Sequence, residues 1–140
     1  VQFKQIDDTF LVYLEKGDSV VDELTKFCKD RGIQNGYLQG IGAVNKVELG
    51  SYDEQNKEYV RKKFTEDHEL ISFQGNIMLL DGEPFIHAHA TIGNHDMQIY
   101  GGHVFNMEIA VVGEFIITKI HDKMKRTFDT EIGLATWDLK

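Results

Sequence analysis

Leu79-Leu80-Asp81-Gly82-Glu83-Pro84-Phe85-Ile86-His87-Ala88-His89-Ala90-Thr91 carries a turn signal and a strand signal side by side. Asp-Gly tolerates the positive φ angles of a tight hairpin, and here it separates two strand-like runs. Beyond the turn, side chains two apart share a face, which sets Ile86, Ala88 and Ala90 on one side and Phe85, His87, His89 and Thr91 on the other. The first set reads as core. The stretch therefore predicts an antiparallel hairpin whose second strand shows two imidazoles to the same side.

Working outward, the chain reads as strands punctuated by glycine, at roughly 34–42, 46–53, 58–64, 69–79, 84–92, 97–105 and 108–121. Asp53-Glu54-Gln55-Asn56-Lys57, flanked by Tyr52 and Tyr59, reads as another hairpin loop. Near the N-terminus, Phe10-Leu11-Val12-Tyr13-Leu14 predicts a strand ending at Gly17. One helix follows, with Asp18 or Ser19 accepting a backbone N–H as cap and Asp22 and Glu23 in its first turn. Val20, Val21, Leu24, Phe27 and Cys28 form its apolar stripe, and Gly32 ends it at positive φ. The segment 128–139 holds a further strand candidate around Leu134–Leu139, docked on the body so as to cover Trp137. Together these elements predict an α+β fold, a central, mostly antiparallel sheet with one main packed helix. At 140 residues the expectation is one domain spanning 1–140.

Asp and Glu number 23 against 15 Lys and Arg, a net charge of −8, so the average field repels nucleic-acid phosphates and anionic membranes. Basic residues in Lys57–Lys63 and Lys119–Arg126 read as solvated faces unless the fold joins them into a patch. Cys28 is the only cysteine, which excludes an intrachain disulfide and leaves histidine, carboxylate and water as metal ligands; in the helix stripe it reads as a buried thiol. No apolar run reaches membrane-spanning length and no signal peptide is visible, so the expected location is the cytoplasm.

His87 and His89 gain a possible third partner in His103 of Gly101-Gly102-His103. If the strands pair through a loop around Asn94-His95-Asp96, one register sets Gly101 opposite His89 and His103 opposite His87, and three imidazoles converge. A slip by one residue turns His103 to the other face. Three imidazoles suit zinc or another divalent metal and leave a fourth position open for Lewis-acid chemistry. The alternative is a set of hydrogen-bonded histidines supporting a glycine-rich turn. Gly101 and Gly102 fit either a bulge or close approach of a ligand or neighbouring chain. His68, His95 and His121 read as exposed or strand-end residues. Glu69 is the candidate catalytic carboxylate, as general base or as a group orienting a ligand, or else an exposed strand-entry residue. Ser72 lacks the surroundings of a serine nucleophile, and Gly36, Gly40 and Gly42 lack the strand-to-helix context of a phosphate loop, so they serve bends or close packing.

The succession Leu14-Glu15-Lys16-Gly17-Asp18-Ser19-Val20, Gly40-Ile41-Gly42-Ala43, Glu69-Leu70-Ile71-Ser72-Phe73-Gln74-Gly75, Pro84-Phe85-Ile86-His87-Ala88-His89 and Gly101-Gly102-His103 resembles the plants-and-prokaryotes-conserved domain, over about residues 8–121. The resemblance implies a homotrimer of stand-alone domains, and it places the family's His-x-His and Gly-Gly-His elements on His87, His89 and His103, with which some members hold a metal. Plant members carry a basic Arg-Gly-Arg minor-groove segment that this chain lacks, and family labels of DNA binding stand against its acidic charge. The family's Leu and Gly after the third histidine are Val104 and Met107 here. What the resemblance leaves open is whether the site is catalytic, senses a small-molecule ligand, or belongs to a DNA-associated or regulatory interaction module.

Overall fold

In the computed structural model, which describes residues 1–140, Asp81 and Gly82 take φ angles of 51° and 82° and close the hairpin that the sequence predicts. Around it the chain lays out as β1 (Gln2–Ile6), β2 (Thr9–Glu15), α1 (Val20–Asp30), β3 (Asn35–Asp53), β4 (Glu58–Phe64), β5 (His68–Leu80), β6 (Glu83–Gly93), β7 (Ile99–Ile120), β8 (Lys125–Asp129) and β9 (Leu134–Asp138). All nine strands join one sheet, and the only helix has 11 residues. The molecule is thus predominantly β, a correction to the α+β balance expected from sequence. The physical reason is that apparent breaks are irregularities inside long strands. The register of β3 on β7 shifts between Gly42 and Val44 and again between Asn45 and Leu49, yet both strands continue. An extra residue bends a strand without ending it. Strands β1 and β8 were not expected from sequence, being short segments, QFKQI and KRTFD, with little apolar alternation.

Strand β7 pairs with β3 from Asn35↔Ile120 to Gly50↔His103. Strand β5 lies against the first half of β3, β6 against β5, and the start of β7 against β6. These pairings form a ring, β3–β5–β6–β7–β3, whose strands have no open edge along the join. At its margins, β1 and β2 extend the sheet beyond the C-terminal half of β7, and β4 lies on the end of β3. Strand β8 meets β5 in parallel at Leu79↔Lys125.

Inside, Leu38, Val44, Phe73, Ile77, Ala88, Ala90, Ile92 and Ile117 are buried, and Phe73 meets Phe115 edge-on at 5.4 Å between ring centroids. Gly40 has to lack a side chain because a Cβ there would fall 2.2 Å from the Phe115 ring. The helix adds Val20, Leu24, Phe27 and Cys28, as its stripe predicts, and Gly32 ends it at φ 62°. Its cap differs from expectation. Neither Asp18 nor Ser19 accepts an N–H from the first helical turn through its side chain; Ser19 Oγ bonds the Asp22 carboxylate, and Val21 N donates 3.4 Å to Asn106 Oδ1 on β7. A strand residue caps the helix. No helix is long and apolar enough to cross a membrane.

The β8–β9 hairpin is tied over the outer face of the ring by three distant residues. Fully buried Asn35 imitates a strand partner, donating to Met124 O and accepting from Met124 N, each at 2.8 Å. Tyr52 Oη donates to Ile132 O at 2.5 Å and Lys57 Nζ to Thr130 O at 2.9 Å. The segment docks as expected, but Trp137 remains 52% exposed. An Asn35→Leu substitution strands both polar groups of Met124; we expect a loss of about 1–3 kcal/mol, measured by urea unfolding, with faster hydrogen exchange at the Met124 amide.

Candidate metal centre

Strands β6 and β7 bring the three histidines together in a register two residues removed from the expected one. His103 stands opposite His89, and Gly101 opposite Thr91. The connecting loop sets this alignment. Asn94 Oδ1 accepts from the backbone N–H of Asp96 and of Gln98, each at 3.0 Å, and Met97 takes φ 61°, so the turn is centred one residue later than read. An even shift preserves the face of every side chain. Convergence therefore survives the correction.

The rings of His87, His89 and His103 lie 5.3–5.7 Å apart between centroids. One nitrogen from each falls within 4.8 Å of the others. Zinc–nitrogen bonds of about 2.0–2.1 Å at tetrahedral angles place such nitrogens roughly 3.3 Å apart. Modest turns of the imidazoles close that difference, and the donor set is one that divalent zinc accepts. These residues fit a metal.

Neighbouring strands grip two of the rings. Tyr59, on β4, stacks on His103 at 4.6 Å with its hydroxyl 3.5 Å from Nδ1, while Phe105 packs against the same imidazole edge-on at 4.9 Å. Gly50 makes room for this cluster, since a Cβ there would fall 2.5 Å from the Phe105 ring. Gly102 allows β3 and β7 to touch, its own Cβ position being 2.6 Å from Gly50 O. Against His87 lies Arg126 from β8, its Nη2 3.2 Å from Nδ1 and 2.8 Å from Asn76 Oδ1. Trp137 Nε1 donates to the same Asn76 oxygen at 3.4 Å.

Burial, then Arg126 and His89, holds the His87 pKa below its ordinary value. Burial, followed by His87, His89 and Arg61, lowers that of His103 to about 4. Neutral imidazoles are the form that ligates a metal. Burial also depresses Arg126 and raises Tyr59.

The other sequence candidates lie apart from this cluster. Glu69 is exposed and sits opposite Gly93, four positions along β6 from His89, or roughly 13 Å at about 3.3 Å per residue. His68 was expected to be exposed; it is 4% exposed, held by Glu66 O at 2.9 Å and packed against Phe64 and Tyr100. His95 lies exposed in the loop after β6, and His121 contacts Asp8 at 2.7 Å. Cys28 is fully buried, its thiol pushed up to about 12 by desolvation. Arg61 pairs with Glu48 at 3.3 Å, and Arg126, read as part of a solvated tail, is buried in the centre. Sequence reasoning missed Tyr59, Asn76 and Arg126 as site residues. Tyr59 had a weak signal as the partner of Tyr52 across a hairpin; Arg126 had none, because β8 itself was unread.

A family model described as the Plants and Prokaryotes Conserved (PCC) domain matches residues 1–121. Among solved structures, a metal-containing protein from Archaeoglobus fulgidus is 33% identical, with a TM-score of 0.87 and 98% of each chain covered. A plant- and prokaryote-conserved protein from Pyrococcus horikoshii is also 33% identical at a TM-score of 0.87, covering 98% of this chain and 93% of that one. A candidate DNA-binding protein from Bacteroides thetaiotaomicron is 29% identical at 0.95, covering 98% and 96%. No curated protein matches the chain.

Because the fold keeps His103 neutral, the unfolded chain binds its proton more tightly. The stability this confers is complete above the ordinary value of 6.5 and is lost as pH falls through about 4. Urea unfolding of chelator-treated protein is expected to show stability declining over that window, and declining less steeply in His103→Gln.

Proposed function

The chain belongs to the Plants and Prokaryotes Conserved (PCC) domain family, and from that premise we propose that it is a homotrimeric, cytoplasmic protein, one such domain over residues 1–140, that binds a divalent metal, zinc foremost, through His87, His89 and His103. The observation that carries this reading is the convergence of three imidazole nitrogens within 4.8 Å on one face of a two-strand join. The relative from Archaeoglobus fulgidus, described as metal-containing, supports it. When bound, the metal supplies Lewis acidity toward a small molecule. Tyr59 and Phe105 fix the His103 ring, and the low proton affinity of His87 and His103 keeps both available as ligands at neutral pH. Glu69 is the remaining candidate for proton transfer, and its position requires the substrate to extend along β6.

The trimer has its own support in the outer sheet face. Leu11, Tyr13, Ile41, Ile71 and Ile116 are all exposed there, around a groove of about 870 Å³. A contiguous apolar surface of this kind marks an association face. Direct DNA binding is the second reading, favoured by the descriptions of two neighbours as candidate DNA-binding proteins and opposed by the net charge of −8.

Metal analysis by mass spectrometry on untagged protein is expected to give about one zinc per chain, lost in His87→Ala, with light scattering reporting a trimer. A wild-type chain that stays metal-free after zinc addition and dialysis removes the metal reading; a monomer removes the assembly. Duplex DNA is expected to remain unbound even at low salt.

A further inference from the structure

Among the charged side chains around the three histidines, Arg126 has no opposite charge. It is 8% exposed, and its Nε is buried without a hydrogen-bond partner. Its other nitrogens reach only neutral acceptors: Nη1 donates to Ala135 O at 2.9 Å, and Nη2 to Asn76 Oδ1 and His87 Nδ1. Arg61, the nearby cation, is balanced by Glu48, whereas no ion pair includes Arg126. A buried guanidinium without a carboxylate is rare enough to require a reason.

Counting lone pairs supplies one. Arginine only donates, so His87 Nδ1 accepts from Arg126, and the neutral ring carries its proton on Nε2. A neutral imidazole has a single nitrogen lone pair for hydrogen bonding or ligation. A metal that takes this pair, at either nitrogen, deprives Arg126 of its acceptor. With a divalent metal bound, three uncharged imidazoles would hold a dication beside a guanidinium whose Nε and one Nη2 hydrogen would be unsatisfied. Charge and hydrogen bonding both call for anionic oxygen.

We propose that the centre takes a small oxyanion, a molecule bearing a carboxylate or phosphate group, shared between the three-histidine metal and Arg126. This deepens the metal reading above and rests on it. Planar guanidinium groups match either kind of oxyanion with paired N–H donors. Phe85 and Trp137 line the approach. The guanidinium carbon lies 5.6 Å from the Phe85 ring centroid, and Trp137 shares Asn76 Oδ1 with Arg126, so an apolar remainder beside the charged group would meet these two exposed rings.

The test uses the full chain loaded with cobalt(II) in place of zinc, after metal content has been measured, and follows the visible cobalt spectrum and the fluorescence of Trp137, the only tryptophan. The probes are inorganic phosphate, acetate and, as a neutral counterpart of acetate, acetamide. Saturable changes with phosphate or acetate and none with acetamide are expected, and the two anions rank the phosphate and carboxylate classes. In Arg126→Gln, with the variant's metal content measured and anion binding expressed per loaded site, we expect at least tenfold weaker oxyanion binding. Arg126→Lys, which keeps the charge and the aliphatic stem but not the paired donors, should fall between and serves in place of the glutamine variant if that one unfolds. A metal-loaded wild type indifferent to both anions, or variants that bind them as tightly as wild type, overturns the proposal and leaves the metal reading intact. A wild type that holds no metal overturns both.

Discussion

The long antiparallel pairing of β3 with β7 is the constraint on which the rest of the structure depends. Each strand is used twice: the two run against one another for nearly their whole length, and each offers its other edge to the β5–β6 hairpin. Register is therefore set around a closed circuit, and a slip in one pairing has to be matched in the others. Closure makes the centre possible. His103 stands opposite Gly50 on one side and His89 on the other, so both neighbours must be in place before the third imidazole reaches the first two. The irregularities at Gly42–Val44 and Asn45–Leu49 accommodate the curvature this demands.

Much of the site was legible in the sequence because its logic is local. His87 and His89 share a face by the two-residue period, and Ile86, Ala88 and Ala90 are buried as that period requires. The third histidine was placed correctly as to face and incorrectly as to partner, since the loop alignment rests on the Asn94 side chain and on positive φ at Met97. Where contacts cross long stretches of chain, sequence reading failed in a consistent way. Asn35 reaching Met124, Asn106 capping α1 and Arg126 reaching His87 all join segments with no shared periodicity. The strand boundary read at Gly42 was also misplaced: Gly42 lies inside β3, where a Cβ would fall 2.2 Å from Val112 O, so the close packing read for it is what the fold uses.

The electrostatics of the molecule are divided. A chain of net charge −8 keeps carboxylates out of the cluster formed by its three convergent histidines. Burial and repulsion from neighbouring imidazoles hold His87 and His103 below the ordinary histidine value, and Arg126 reinforces this at His87. Positive charge is thereby concentrated on one guanidinium at the rim of the cluster. The acidic exterior adds long-range repulsion of polyanions, so a compact anion meets less opposition than a nucleic acid.

The family match ends at residue 121, whereas Arg126 and Trp137 stand on the hairpin that follows. The three histidines and the arginine beside them consequently belong to different parts of the chain, the first aligned by the closed ring and the second delivered by a separate hairpin. Substitutions in the hairpin can retune what approaches the histidines while the circuit that assembles them stays untouched. The surroundings of the histidines can thus be altered from outside the strands that align them.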